Sequence, residues 1–351
     1  MPKHRNGTSS YNATLDLFRF LACLAIVWIH VPESGLLKPT TIVSRFAVPF
    51  FSAAAIYLTV RSLHRRPDLS SWDYIRARFR SIYLPFLAWS AIYYLARYLA
   101  KQVSEVGGLT ATTCLPALSW ETLLDGTVHH LWFLPYIVVA SVAALAATKL
   151  VLSCPLLRLP VALVCLVTGF TTAVLTADEA PVPNIYAVEL AYQTLPSACW
   201  AVAIALYADR WQWLGKADAA GILGSLLFFA GSAWLWQNGR NSLAENLAGC
   251  GLLLATLPDT FTRGLSVSGS LAKQLGAWSF GIYVVHILFV EGIQDVLHAL
   301  QIEASPTIDL IIYVLSIIGS VAVTILASQF AGLSWLFSTR RQPKTAAAGT
   351  S

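Results

Sequence analysis

Ten apolar runs, most of them about 17 to 25 residues long, take up nearly the whole chain: 15–31, 42–60, 82–100, 131–148, 159–177, 188–207, 220–236, 243–258, 277–297 and 308–337. A helix of about 20 residues spans the hydrocarbon core of a bilayer, and it satisfies its own backbone polar groups where no water can. Composition agrees: 56% of the 351 residues are hydrophobic and 12% are charged, against about 25% charged in ordinary soluble domains. The expected fold is all-α, a polytopic integral membrane protein of about ten transmembrane helices. The first run follows Lys3 and Arg5 as a signal peptide would, but Asp16 and Arg19 interrupt it and nine runs follow, so it reads as an uncleaved helix.

Basic residues in the loops set the orientation. With the N-terminus inside, the inner segments hold 17 of the 23 Lys and Arg residues, while the outer loops hold Lys38, Lys101 and Arg240. Arg19, Arg45 and Arg97 fall within runs. This asymmetry predicts N-in, C-in topology. The net charge of +5 then reports topology, and its largest cluster suits an anionic cytosolic ligand or anionic membrane lipids better than nucleic acid. No stretch is long or polar enough for an appended soluble domain. Residues 1–340 read as one membrane-embedded unit and 341–351 as a disordered cytoplasmic tail.

Within the first run, Arg19 and His30 stand eleven residues apart. At 100° per residue they share one helix face, separated by about 16 Å along the axis. Ionisable groups in a membrane segment face a bundle interior or a water-filled cavity and are functional candidates by default. Asp16, three residues before Arg19, is its natural partner. His30 is the leading candidate for a catalytic base, because imidazole titrates near neutrality. Glu33 is a candidate for orienting the ring or raising its basicity, with Pro32 between them.

Other polar groups gather at the expected outer ends: His129 and His130, Glu189 and Gln193, Arg240 and Glu245. Arg45, near the level of His30, reads either as a site for an anionic acceptor or as a snorkelling anchor, and Arg97 as a snorkelling one. His286, on a stripe with Ser279 and Tyr283, is expected inside the bundle at mid-membrane depth. On the inner side Arg76, Arg78 and Arg80 alternate, and a regular helix would point Arg78 away from the other two. From charge alone they read as ordinary positive-inside residues.

The six cysteines lack metal-ligand spacing and read as small apolar residues. No phosphate-cradling loop, metal-spaced His/Cys set or nucleophile elbow is present, so no metal is expected.

Five blocks carry a resemblance to the acyltransferase 3 family of bacterial integral-membrane acyltransferases, which O-acylate cell-surface and exported carbohydrates. They are Leu15 to His30 with its Arg-x10-His pattern, Val48 to Leu58, Arg76 to Leu95, His130 to Tyr136, and Ser279 to His286, in family order along the chain. The resemblance implies that His30 is the essential catalytic residue, that Arg19 lines the acyl-CoA path, and that Arg76 and Arg78 meet the cofactor's phosphates. It also implies that His130 and Trp132 sit close to the reaction centre. Arg45 and His286 join these two as candidate substrate-binding residues.

The expected donor is acetyl-CoA or another acyl-CoA from the cytosol. The expected acceptor is a carbohydrate hydroxyl outside the bacterial inner membrane, such as a lipid-linked or exopolysaccharide sugar. Many relatives continue into a periplasmic hydrolase-like domain, so this chain is expected to finish the transfer itself or to use a partner protein. Ala54 and Ala55 stand where the family often has Ser-Gly, and Ile287 stands where a proline frequently follows the histidine. Two alternatives stay open: a secondary transporter or carbohydrate exporter, and an MBOAT-type acyltransferase centred on His286 with Asn246.

Overall fold

The computed structural model describes residues 12–31, 35–107, 118–177, 185–213, 217–258, 267–330 and 332–337. Among them there is no strand. The first apolar run forms α1 (Ala13–Ile29), whose Asn12 cap accepts from the Leu15 N–H at 2.8 Å and donates to the Thr256 carbonyl. The second is split into α2 (Lys38–Ser44) and α3 (Ala47–Arg65). The basic segment forms α4 (Ser71–Arg78), which passes through a wide π turn, Phe79–Tyr83, into α5 (Leu84–Gly107). Pro85 explains the widening: it has no N–H for the Ser81 carbonyl, and the ladder steps out so that the Leu84 N–H reaches Phe79 instead.

A one-turn helix, α6 (Thr122–Asp125), and a 3-10 turn, His129–Trp132, lead into α7 (Phe133–Ser153). Five long helices follow in α8 (Arg158–Ala177), α9 (Tyr186–Trp213), α10 (Ala217–Asn238), α11 (Ser242–Thr256) and α12 (Gly269–Ala299). The chain ends in α13 (Pro306–Gln329) and the short α14 (Ser334–Phe337). Every apolar run thus becomes helix. Among the described residues, six helical segments are long and apolar enough to cross a membrane, those within 35–65, 129–153, 155–176, 218–238, 269–299 and 306–329. α1 and α11 are shorter, at 17 and 15 residues. α5 and α9 carry more polar residues.

The last run does not continue to residue 337. α13 stops where Phe330 turns extended, and α14 folds back so that the Trp89 indole donates to the Leu336 carbonyl at 3.0 Å. The 277–297 run reaches back to Gly269, because Ser268 caps the helix by accepting from Leu271. The cytoplasmic tail expected at 341–351 and the cysteine at position 114 lie outside the described residues.

Two close contacts organise the bundle. α1 and α12 lie side by side and parallel: Asp16 abuts Gly276, the Cys23 thiol meets the Ser279 carbonyl, and Val31 accepts from Gln294. A Cβ at Gly276 would stand 2.7 Å from that of Asp16, so only glycine allows this approach. α10 and α11 run antiparallel with their backbones almost touching, since a Cβ at Gly251 would meet the Phe228 nitrogen at 2.6 Å and the Gly224 oxygen at 2.7 Å. Gly251→Leu is therefore expected to destabilise the detergent-solubilised protein by about 1–3 kcal/mol through overpacking. Gly292→Ala, with no neighbour within 4 Å of the added carbon, should leave the thermal midpoint unchanged or slightly raised.

Candidate active site

His30 follows the last residue of α1, a helix that Pro32 prevents from continuing. The 3-10 turn carrying His129 and His130 is anchored on three sides. Gly126 enters it at φ +75°, where a Cβ would press on Leu131; the Thr127 hydroxyl donates to the Ser90 carbonyl at 2.6 Å; and the Tyr283 hydroxyl donates to the His130 carbonyl. The turn thereby sets two imidazoles against the end of α1, and α12 brings a third.

The ring of His30 lies 5.1 Å from His129, 5.3 Å from His286 and 6.3 Å from His130, centroid to centroid, with His130 and His286 5.1 Å apart. His286, from the middle of α12, thus meets His30 at the end of α1. His30 Nδ1 and His129 Nε2 are hydrogen-bonded at 3.3 Å. His286 Nδ1 is 2.8 Å from the Tyr283 carbonyl, which only accepts, so this nitrogen carries the proton and Nε2 presents a lone pair. His286 Nε2 and both nitrogens of His130 are buried with no hydrogen-bond partner among the described residues. Such groups are costly unless something polar engages them. Among the described residues no group of three or more His, Cys, Asp or Glu side chains is arranged to hold a metal ion.

A cavity of about 100 Å³ opens beside the cluster. It is lined by the polar side chains of His30, His129, His130, Arg45, Gln193 and Glu245 and by the rings of Trp132, Phe133, Tyr186 and Tyr283. Arg45 does not snorkel. Its Nε binds Glu245 Oε1 at 3.0 Å, the oxygen that Arg240 Nε also approaches at 3.6 Å, and Arg240 Nη2 donates to Gln193 at 2.6 Å. Arg97 does not snorkel either, since its guanidinium grips both oxygens of Glu291, at 2.5 and 3.4 Å, and donates to the Thr127 carbonyl.

The structure thus brings together His30, His130, Trp132, Arg45 and His286 among the residues singled out from the sequence. Glu33 lies outside the described residues. Arg19 pairs with Asp16 at 2.8 Å, three turns down α1 and away from the cavity. Arg76 and Arg78 diverge: Arg76 is exposed, while Arg78 turns inward to bind the Tyr74 hydroxyl and Thr59 Oγ1, each at 2.8 Å. Asn246 is committed elsewhere, donating to the Gln193 and Ser242 carbonyls and accepting from the Ser197 N–H. Sequence reasoning gave His129 no role, although its place beside His130 was the available signal. It also missed Glu291, whose partner is 194 residues away.

A family profile described as an acyltransferase domain matches residues 12–328, from the cap of α1 almost to the end of α13. The chain belongs to the acyltransferase 3 family. All four histidines of the cluster fall within the match. An amino-acid racemase of Enterococcus faecalis is 29% identical over 138 residues, 37% of this chain. The chain spans only 18% of that protein's length. No solved structure matches the chain. Family membership and the apolar helices together make the chain a multi-pass membrane protein.

The two arginines of the family's basic block should separate experimentally. Arg78→Ala is expected to cost about 1.5–3 kcal/mol of stability, because Arg78 makes charge-assisted hydrogen bonds to two hydroxyls. Arg76→Ala should change stability by less than about 0.5 kcal/mol. Thermal unfolding of the two purified variants checks this.

Proposed function

We propose that this acyltransferase takes an acyl group, most simply acetyl, from acyl-CoA on the cytosolic side and gives it to a carbohydrate hydroxyl on the outer side of the bacterial inner membrane. In this reading ten helices cross the bilayer with both termini inside. The parallel course of α1 and α12, the first and ninth of the ten, is what strict alternation requires. The exposed Arg76, with the other basic residues of its segment, neutralises the cofactor's phosphates at the inner face. Arg19 stands along the route of the pantetheine arm, and His30 waits at the outer end.

The observation that carries the reading is the position of His30, an imidazole on the wall of a cavity that also offers aromatic faces and a guanidinium–carboxylate pair. Such walls suit a sugar ring, whose apolar face stacks on Trp132 or Tyr186 while its hydroxyls bond to Arg45, Glu245 and Gln193. His30 takes the proton of the acceptor hydroxyl as the oxygen attacks the thioester carbonyl. The C–S bond breaks, the electron pair leaves on sulfur, and the proton on His30 passes to the departing thiolate. Atoms and charge balance without a further reactant. The MBOAT alternative finds no support, because the Asn246 amide is fully engaged away from His286.

The test is release of free CoA thiol from acetyl-CoA by the reconstituted protein in the presence of a membrane carbohydrate extract. Turnover should depend on the extract and fall by at least about a hundredfold in a folded His30→Ala variant. Full turnover by that variant would overturn the mechanism, and failure to bind CoA at all would favour an exporter.

A further inference from the structure

We propose that His129 is the positioning residue of the site: it holds His30 in the one neutral tautomer that can act as a base. The inference rests on the reading of His30 given above. Among the described residues His129 is the ring hydrogen-bonded to His30, through Nε2 to Nδ1 at 3.3 Å. A neutral imidazole has one N–H and one lone pair, so this contact admits two arrangements. If His129 donates, His30 carries its own proton on Nε2 and has no lone pair left for the acceptor. If His129 accepts, His30 carries its proton on Nδ1, and Nε2 is free to take the acceptor's proton.

The base role of His30 requires the second arrangement. His286, whose proton is held by the Tyr283 carbonyl, makes no hydrogen bond to His30 among the described residues, so it does not occupy His30 Nε2. The imidazolium that forms on His30 as the acceptor hydroxyl loses its proton keeps its Nδ1–H on the His129 lone pair, which stabilises the charge. Next to the turn that bears His129, Arg97 holds the Glu291 carboxylate in two-point contact and donates to the Thr127 carbonyl. This geometry gives His129 the part that a carboxylate plays beside the histidine of a hydrolytic triad, orienting the base without itself meeting the substrate. His129 is also the solvent-exposed member of the cluster, whereas His130 and His286 are buried.

His129→Ala, His129→Gln and His30→Ala should be compared in the thiol-release assay. His129→Ala is expected to lower kcat about 10- to 100-fold with KM for acetyl-CoA within about twofold, the range lost when a group that orients a histidine is removed. His129→Gln, whose amide oxygen still accepts from Nδ1–H, should recover much of the loss. Added imidazole should partly rescue His129→Ala, since the vacated position is exposed. Nitrogen NMR of histidine-labelled wild-type protein should find the His30 proton on Nδ1. A wild-type kcat in His129→Ala, a change confined to KM, absence of recovery in a folded variant, or a proton found on Nε2 would overturn the proposal. The two readings fail separately. An active His30→Ala removes the mechanism itself, whereas an inactive His30→Ala beside a fully active His129→Ala removes only the positioning role.

Discussion

The structure depends on how its charged groups are satisfied inside a largely apolar bundle. A guanidinium or carboxylate facing hydrocarbon alone costs several kcal/mol, and removing one partner of a buried pair is worse than never having had it. Each arginine within an apolar run has its answer: Arg19 with Asp16 on one helix, Arg45 with Glu245 between α2–α3 and α11, Arg97 with Glu291 between α5 and α12. The last two pairs tie helices that are far apart in sequence, and both stand close to the histidine cluster. Because the carboxylates are taken up by arginines, His30 has imidazoles as its ring neighbours. A neutral ring can be buried where a carboxylate could not, so imidazoles can gather in an apolar setting.

Precise placement of that site comes from small residues and turns. Glycine at 276 lets α12 lie against Asp16, which brings His286 level with His30. The sharp entry at Gly126 and the Tyr283 hydroxyl fix the backbone of the turn bearing His129 and His130. At the opposite end of α1, Arg78 is drawn inward by Tyr74 and Thr59 and braces the basic segment, while Arg76 stays exposed. The arginines of that segment therefore divide between holding the fold and facing solvent. The π turn at Phe79–Tyr83 is the local consequence of Pro85.

Much of this was legible in the chain. The apolar runs located every long helix, because hydrophobic length is a local property. The ion pair of Arg19 with Asp16 follows from their spacing. What was not legible depends on contacts between distant segments. Histidines 30, 130 and 286 were grouped through the family resemblance, but that His129 joins them and bonds to His30 depends on packing of α1, α12 and the turn before α7. Arg97 looked like a snorkelling residue because Glu291 is remote in sequence. The final run read as a single span through 337 because hydropathy does not register the extended residue at Phe330.

In the proposed function the acyl group enters from the side of the basic segment and leaves from the side of the histidines. The direct measurement is transfer of radiolabelled acetyl groups in sealed vesicles of defined orientation, with acetyl-CoA confined to one side and the carbohydrate acceptor to the other. Product is expected when the donor faces Arg76 and the acceptor faces His30, and none when the two are exchanged. Equal product in both arrangements, or product only with donor and acceptor on the same side, would contradict the proposed function.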